Sequence, residues 1–271
     1  MKQPVNLYDG HYGNVEADLY RAVRLEAFGE DLGQTSWITA PECDEFCRWL
    51  GLRADQSILE VACGSGGTAV RIAERFGVSV VGIDINESAV LAATTRARAC
   101  TVHDRVEFRV ADANDALAFP DESFDALFCN DSINHLRDRP RVLAEWHRVL
   151  RPGGRCLYTD PIVVTGCLSN AEIEARSSIG FFLFTPKGFN EAFIRAAGFR
   201  SVLTADVTAS VSRTSQRWHK ARSGRRQALC ELEGETTFDE LQRFLTTVHT
   251  LASEGRLSRF AFMGEKAGRG V

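Results

Sequence analysis

The chain of 271 residues sets 32 Lys and Arg against 36 Asp and Glu, a formal charge of -4, with 44% apolar and 25% charged residues. That balance is the globular average and excludes a disordered chain. The mild acid excess argues against a nucleic-acid or membrane-surface binder, no apolar run approaches the roughly 18 residues of a membrane span, and MKQPVNLYDGHYGN lacks a secretory apolar core.

A cytoplasmic protein is therefore expected, with no nucleic-acid or membrane partner. The eight cysteines (Cys43, Cys47, Cys63, Cys100, Cys129, Cys156, Cys167, Cys230) form no CxxC pair and mostly sit in apolar runs. They read as reduced, buried small hydrophobes. Cys43 and Cys47 can share a helix face, but two further metal ligands are missing nearby, so no metal is expected.

In chain order, residues 1–50 read as helices and loops, YRAVRLEAFG and then PECDEFCRWLGL, the latter with Pro41 in its first turn and Gly51 at its end. SILEVAC is an apolar strand, GSGG a turn, and TAVRIAERFG a helix with Ala69, Ile72, Ala73 and Phe76 on one face. Next come strand VSVVGIDI, helix NESAVLAATTRARAC with Asn86 as N-cap, and strands VEFRVAD and FDALFCND. Helix PRVLAEWHRVL and a fifth strand, GGRCLYTDP, follow. Beyond a variable stretch at 163–185 lie helix KGFNEAFIRAAGF, strand SVLTADV, a polar helical region, helix FDELQRFLTTVHTLASEG and strand LSRFAFMGEK. That last segment reads as a closing antiparallel strand at or near one edge. Alternating strands and helices predict an α/β fold, a doubly wound, mostly parallel sheet of about seven strands with helices on both faces. Residues 57–271 read as one domain with additions at 163–185 and 209–255, preceded by a helical region at 1–56.

In such a sheet, ligands bind beyond the carboxyl ends of the strands. Glu60, Asp84, Asp112, Asn130-Asp131 and Asp160-Pro161 all fall at predicted strand ends. Acids cap helices, so one of them means little; a whole rim means more. Gly64-x-Gly66-x-x-Ala69, with Asp84 twenty residues beyond Gly64, fits a dinucleotide site with an acid on a ribose diol. A nicotinamide or flavin oxidoreductase is thus one reading. Glu60 favours another, because a second carboxylate there opposes a pyrophosphate but suits an ammonium group. Asp112 can accept from an adenine amino group.

EVACGSGG, GIDI, ADA and LRPGG, in this order and spacing, resemble the motif series of class I S-adenosylmethionine-dependent methyltransferases over about residues 57–162. The resemblance implies a Rossmann-like domain, S-adenosylmethionine as cofactor, and methyl transfer to an oxygen or nitrogen of a small molecule. It implies that Gly64 and Gly66 face the methionyl part and that Glu60 and the backbone near Asn130 hold its amino group. It further puts Asp84, followed by Ile85, on the ribose and Asp112 and Ala113 on the adenine. Ala62 replaces a glycine common in the family, with little effect expected of so small a side chain. GEDLGQTSW (29–37) resembles the lid of the small-molecule members, so Gln34, Ser36 and Trp37 are expected over the cofactor; the alternative is a helix start with a core tryptophan.

Methyl transfer needs alignment, exclusion of water and a route for the acceptor's proton. His135, just past the fourth strand, is the candidate base, or else a histidine bonded to backbone. His11 and Tyr12 are weaker candidates, and His103, His147, His219 and His249 fall away from the rim. Phe181, Phe182 and Phe184 are candidates for an apolar acceptor wall or for ordinary core. The run 213–226 holds six Lys or Arg and no acid, either a solvated helix face or an anion-attracting patch. Besides methyl transfer and oxidoreduction, a non-catalytic cofactor-binding subunit fits the same residues.

Overall fold

The computed structural model describes residues 12, 13 and 15–269. Its strands are β1 (Ser57–Val61), β2 (Ser79–Asp84), β3 (Val106–Val110), β4 (Phe124–Cys129), β5 (Leu150–Val164), β6 (Thr185–Pro186), β7 (Arg200–Asp206) and β8 (Leu257–Glu265). They form one sheet in the order β3-β2-β1-β4-β5-β8-β7, with the two-residue β6 beside β5. β1 to β5 pair in parallel, and β8 runs antiparallel between β5 and β7, one strand in from the edge.

The helices are α1 (Asp18–Phe28), α2 (Ala40–Leu50), α3 (Gly67–Phe76), α4 (Glu87–Arg98), α5 (Arg139–Val149), α6 (Asn170–Arg176), α7 (Phe189–Ala196), α8 (Thr208–Ser223), α9 (Arg226–Glu233) and α10 (Glu235–Ser253). Their boundaries follow the local chemistry. Thr39 and Asn86 accept N-terminal amide protons of α2 and α4, and Gly51 and Gly77 end α2 and α3 in the left-handed conformation.

Because side chains alternate across a strand, each strand feeds two cores. Leu59, Val61 and Leu127 pack under Val142, Trp146 and Ile194 of α5 and α7. Ile58, Ala126 and Phe128 pack under Phe46 and Cys47 of α2 and Ile72 of α3. The segment 1–56, expected as one lid region, therefore divides. α2 is buried against the sheet, whereas α1 joins α8, α9 and α10 in a third cluster around Phe28, Trp37, Trp218, Leu241 and Phe244. The helices before the last strand and the N-terminal helix thus make a single cap with its own core.

One other expectation is corrected. β5 does not end at Asp160-Pro161 but runs on to Val164, and Asp160 is fully buried against Arg139, 2.6 Å away, and Asn190. It does not belong to the rim. Within the run 213–226, three of the six cations are paired inside the cap: Arg222 bonds Glu233, Arg225 bonds Glu26 at 2.7 Å, and Arg226 bonds Asp239 and Glu235 at 2.7 and 2.9 Å.

The sheet and cap meet at a side chain the sequence pattern did not single out. Arg259, on β8, is 0% exposed. Its Nε donates to Asp131 (2.6 Å), Nη1 to both carboxylate oxygens of Glu42 (2.8 Å each) and to Ser210 (3.0 Å), and Nη2 to Asn130 (2.9 Å). One guanidinium thereby joins β8, the tip of β4, α2 and α8. Removing one member of a buried ionic network strands its partners without solvent, which costs about 3–5 kcal/mol. Arg259→Met should lower the unfolding free energy by about that much, seen as a lower urea midpoint. Arg259→Lys should recover only part, because an ammonium cannot reach three acceptors in one plane. A wild-type midpoint in Arg259→Met would leave the network without energetic weight.

Candidate active site

The order of the strands reverses between β1 and β4, and there the chain leaves a cleft beyond the strand ends. A cavity of about 1110 Å³ opens at that point. This is above the roughly 300–1,000 Å³ usual for one small ligand, so it has room for a cofactor and an acceptor together.

β1 delivers Glu60, and the turn after it holds the backbone in unusual conformations. Gly64 and Gly66 have φ of 53° and 75°, and Ala62 has φ of 56°. A Cβ on Gly67 would lie 2.0 Å from the carbonyl oxygen of Leu32, so glycine there lets the loop at 30–37 close directly onto the turn. Ser65 Oγ donates to the Gly33 carbonyl at 3.0 Å, fastening the same contact. The expectation that alanine at position 62 matters little overlooks its left-handed backbone, where a Cβ is penalised.

Glu60 is buried, and its Oε2 has no hydrogen-bond partner among the described residues. Burial, with Asp84 nearby adding to it, pushes its carboxyl up to about 8. Asp84 at the end of β2 is also buried and shifted up by desolvation, opposed by amide protons. Its Oδ2 accepts from Gly64 N and its Oδ1 from Asn86 N, both at 2.9 Å. The Ile85 amide also bonds this carboxylate, and Asp84 lies on the cavity wall. Ile85 beside it is exposed on the cavity wall. After β3, Asp112 Oδ1 accepts from the backbone and side-chain N–H groups of Asn114 at 2.8 Å, and Ala113 follows on the wall.

Asn130 lies on the wall too, but its side chain is engaged in the Arg259 network and donates to Ser36 Oγ at 2.8 Å. Its backbone carbonyl accepts from Ser132 Oγ at 3.1 Å. Asp131, with φ of 53°, accepts the Trp37 amide proton at 2.9 Å and so pins the loop to the β4 tip. The Trp37 ring packs in the cap core, 5.9 Å from Trp218 and 6.2 Å from Phe244, and the residue also lines the cavity. Gln34 turns inward to accept from Leu32 N at 2.8 Å. Tyr12 lies over Gly64 and within 3.2 Å of Thr35 Oγ1, while His11 lies outside the described residues.

His135 closes the short 3₁₀ turn after β4 and stands half-buried on the wall. Its Nδ1–H donates to the Phe181 carbonyl at 2.7 Å, which makes Nε2 the basic nitrogen of the neutral ring. Burial lowers its pKa from the ordinary histidine value; the Phe181 carbonyl opposes that and the Arg176 charge adds to it. Phe181 and Phe182 line the cavity, whereas Phe184 packs with Ile162, Leu251 and Leu257. None of His103, His147, His219 and His249 reaches the wall. Sequence reasoning missed Arg176, which reaches the wall from the end of α6, and Trp218 and Phe244, which reach it from helices of the cap; nothing in local spacing marks a residue whose neighbours are so distant in sequence. Among the described residues no cluster of His, Cys, Asp or Glu could hold a metal, and no helix is long and apolar enough to cross a membrane.

Residues 59–158 match the methyltransferase-domain family. The 27-O-demethylrifamycin SV methyltransferase of Amycolatopsis mediterranei is 33% identical over 243 residues, 84% of this chain and 88% of that protein. Phosphoethanolamine N-methyltransferase 1 of Zea mays is 31% identical over 72% of this chain, which spans only 38% of the maize protein. Among solved structures, phosphoethanolamine N-methyltransferase 2 of Haemonchus contortus, in complex with phosphomonomethylethanolamine and S-adenosylhomocysteine, superposes with a TM-score of 0.79 at 22% identity, over 97% of this chain and 60% of that one.

The backbone at Ala62 yields a direct test. A left-handed non-glycine residue costs about 1–2 kcal/mol, while a new glycine adds unfolded-chain entropy worth about 0.4–1 kcal/mol. Relief should win, so Ala62→Gly is expected to raise the melting temperature by a few degrees and Ala62→Val to lower it. An Ala62→Gly protein less stable than wild type would contradict the assigned backbone strain.

Proposed function

The chain belongs to the class I S-adenosylmethionine-dependent methyltransferases, and from that premise we propose that it methylates an oxygen or nitrogen nucleophile of a small molecule bound in the rim cavity. The observation that carries the reading is the buried Glu60 oxygen lacking a hydrogen-bond partner beside the glycine turn. A lone buried carboxyl beside a second one disfavours a pyrophosphate, and it fits an α-ammonium group. That speaks against the dinucleotide alternative.

In this reading Glu60 and the Asn130 backbone hold the amino group of the cofactor, and Gly64 and Gly66 let the backbone approach its methionyl chain. Asp84, with Ile85 beside it, takes the ribose hydroxyls, and Asp112 and Ala113 take the adenine. Trp37 and the loop at 30–37 cover the site and exclude water, with 1–37 as the lid and 57–271 as the methyltransferase domain. S-adenosylmethionine supplies, when bound, a methyl group already activated on a sulfonium. What remains for the protein is to orient the acceptor and accept its proton, and His135 Nε2 is the group poised to do so. A cytoplasmic location fits the composition.

Glu60 makes cofactor binding a proton-linked event. A carboxyl raised to about 8 from 4.5 is protonated at neutral pH. Its stabilising contribution to the ligand-free fold is full below 4.5 and fades as pH rises through about 8. An ammonium beside it favours the charged form, so binding should release a proton and tighten as pH rises. Calorimetry of S-adenosylhomocysteine binding at neutral pH should give enthalpies that depend on the ionisation heat of the buffer, a dependence lost in Glu60→Gln. A wild-type enthalpy independent of buffer would remove Glu60 from the ammonium site.

The base assignment has its own signature. With its pKa lowered, His135 stays neutral at pH 7, and turnover should hold steady as pH falls until below the ordinary histidine value. A positioned base contributes about 10²–10⁴-fold, so His135→Ala should lose turnover on that scale in a homocysteine-release assay over diverse acceptors. His135→Gln separates proton removal from hydrogen-bonded placement. Wild-type turnover and pH profile in His135→Ala would leave the histidine without a chemical part, and no turnover with any acceptor would favour a non-catalytic subunit.

A further inference from the structure

The wall of the cavity changes character around His135. The carboxylates Glu60, Asp84, Glu87, Asp112 and Asp115 belong to the side built by β1, β2 and β3. Beyond His135 the wall comes from the cap and from the stretch between α6 and β6, as Trp37, Phe181, Phe182, Trp218, Leu241 and Phe244. The polar side chains on this side are engaged with the protein. Ser36 Oγ accepts from the Asn130 side chain at 2.8 Å, and Ser132 Oγ donates to the Asn130 carbonyl at 3.1 Å. Arg176 is 2% exposed, with its guanidinium carbon 4.7 Å from the centroid of Phe182 and 4.9 Å from that of Phe244. Arg137 lies 5.8 Å over the Phe181 ring.

Of the large apolar side chains exposed among the described residues, two stand on the cavity wall, Ile85 at 65% and Phe181 at 51%. Ile85 lies on the side assigned to the ribose and adenine, where the cofactor would cover it. Phe181 lies on the other side, beside His135, and asks for a second apolar occupant, since a ring half in water is solvated at a cost. Its place is fixed. The Phe181 carbonyl accepts from His135 Nδ1 at 2.7 Å, and Leu183 N donates to the Asn134 carbonyl at 2.8 Å. Two bonds thus hold 181–183 against the turn that carries His135. The Phe182 ring between them centres 4.7 Å from the imidazole. A group presented to His135 therefore has aromatic carbon beside it, held in a set position before any ligand arrives.

We propose that the acceptor is an apolar alcohol or amine with a body of more than one ring, its hydroxyl or amino group at His135 and its carbon faces against Phe181, Phe182 and the rings of the cap. This rests on the methyl-transfer reading of the same cavity. Flat rings stack on such walls and bury the exposed face of Phe181. A small hydrated zwitterion would leave that face wet and would give up its own hydration beside rings that return no hydrogen bond. A cavity of about 1110 Å³ admits a body of this size beside the cofactor.

Calorimetry on the full chain saturated with S-adenosylhomocysteine tests this with three probes, 2-naphthol, phenol and phosphoethanolamine. The second ring of 2-naphthol should tighten binding about tenfold over phenol, with a negative heat-capacity change from apolar burial, and phosphoethanolamine should bind more weakly than either. Trp218 belongs to the cap core, so its loss would loosen the fold as well as the wall. Phe181 is half exposed and gives the cleaner variant. Phe181→Ser should weaken 2-naphthol about fivefold and leave S-adenosylhomocysteine affinity unchanged, and Phe181→Leu should recover part of the loss. Equal binding of phenol and 2-naphthol to the wild-type protein overturns the proposal without any variant, as does tighter binding of phosphoethanolamine. Wild-type affinity for 2-naphthol in Phe181→Ser overturns it too. Wild-type protein that does not bind S-adenosylhomocysteine overturns the methyl-transfer reading itself, whereas cofactor binding without binding of 2-naphthol overturns only this inference.

Discussion

Arg259 organises the molecule around a charge that no solvent reaches. A guanidinium in the interior strand of a sheet is tolerable only if its donors are met, and here Asp131, Glu42, Asn130 and Ser210 meet them from three separate segments. The consequence runs through Asp131. Held by Arg259 on one oxygen, it offers the other to the Trp37 amide, and Thr159 Oγ1 donates to it while accepting the proton of its own amide. The tip of β4, where the cavity begins, is therefore fixed by electrostatics and not by apolar packing alone. His135 follows four residues later, so the place of the candidate base is set by the same anchor.

A second constraint is steric. The glycine turn and the loop at 30–37 approach until a single Cβ at Gly67 would collide with the Leu32 carbonyl, and one at Gly33 would lie 2.2 Å from Ser65 Oγ. The covering loop and the turn beneath it are in contact, so the position of one determines the other. The ring of Trp37 then carries that contact into the cap, where it packs against Trp218 and Phe244. The loop at 30–37, the turn beneath it and the cavity wall at Phe244 are thus in continuous contact, although Trp37 and Phe244 lie more than 200 residues apart in the chain.

This arrangement explains what the sequence disclosed. The strands and helices of 57–162 were legible because each apolar period is local, and Glu60, Gly64, Gly66, Asp84 and Asp112 were legible because a strand end must deliver them to one rim. The cap was harder. Its core joins Phe28 and Trp37 to residues of α8 and α10, and no local period reveals a partnership of that range. Asp160 misled because an acid near a strand end looks like a rim acid, whereas two further turns of pleat buried it against Arg139. Arg259 was hidden in a segment read only as a closing strand at or near an edge; β8 is buried on both faces along most of its length, so its arginine lies inside. Ala62 was read by size, but what matters there is the sign of φ.

The division of charge along the cavity gives the site its direction. Carboxylates crowd one half, and burial raises two of them, Glu60 and Asp84, so that half awaits positive charge or hydroxyl protons. The other half holds its cations on aromatic faces, where ring quadrupoles compensate for lost hydration. His135 stands between them. Desolvation and the nearby guanidinium both disfavour its protonated form, so the imidazole is kept as an acceptor of protons and not as a third cation. His135 and Arg176 share one aromatic neighbour, Phe182, which both side chains touch.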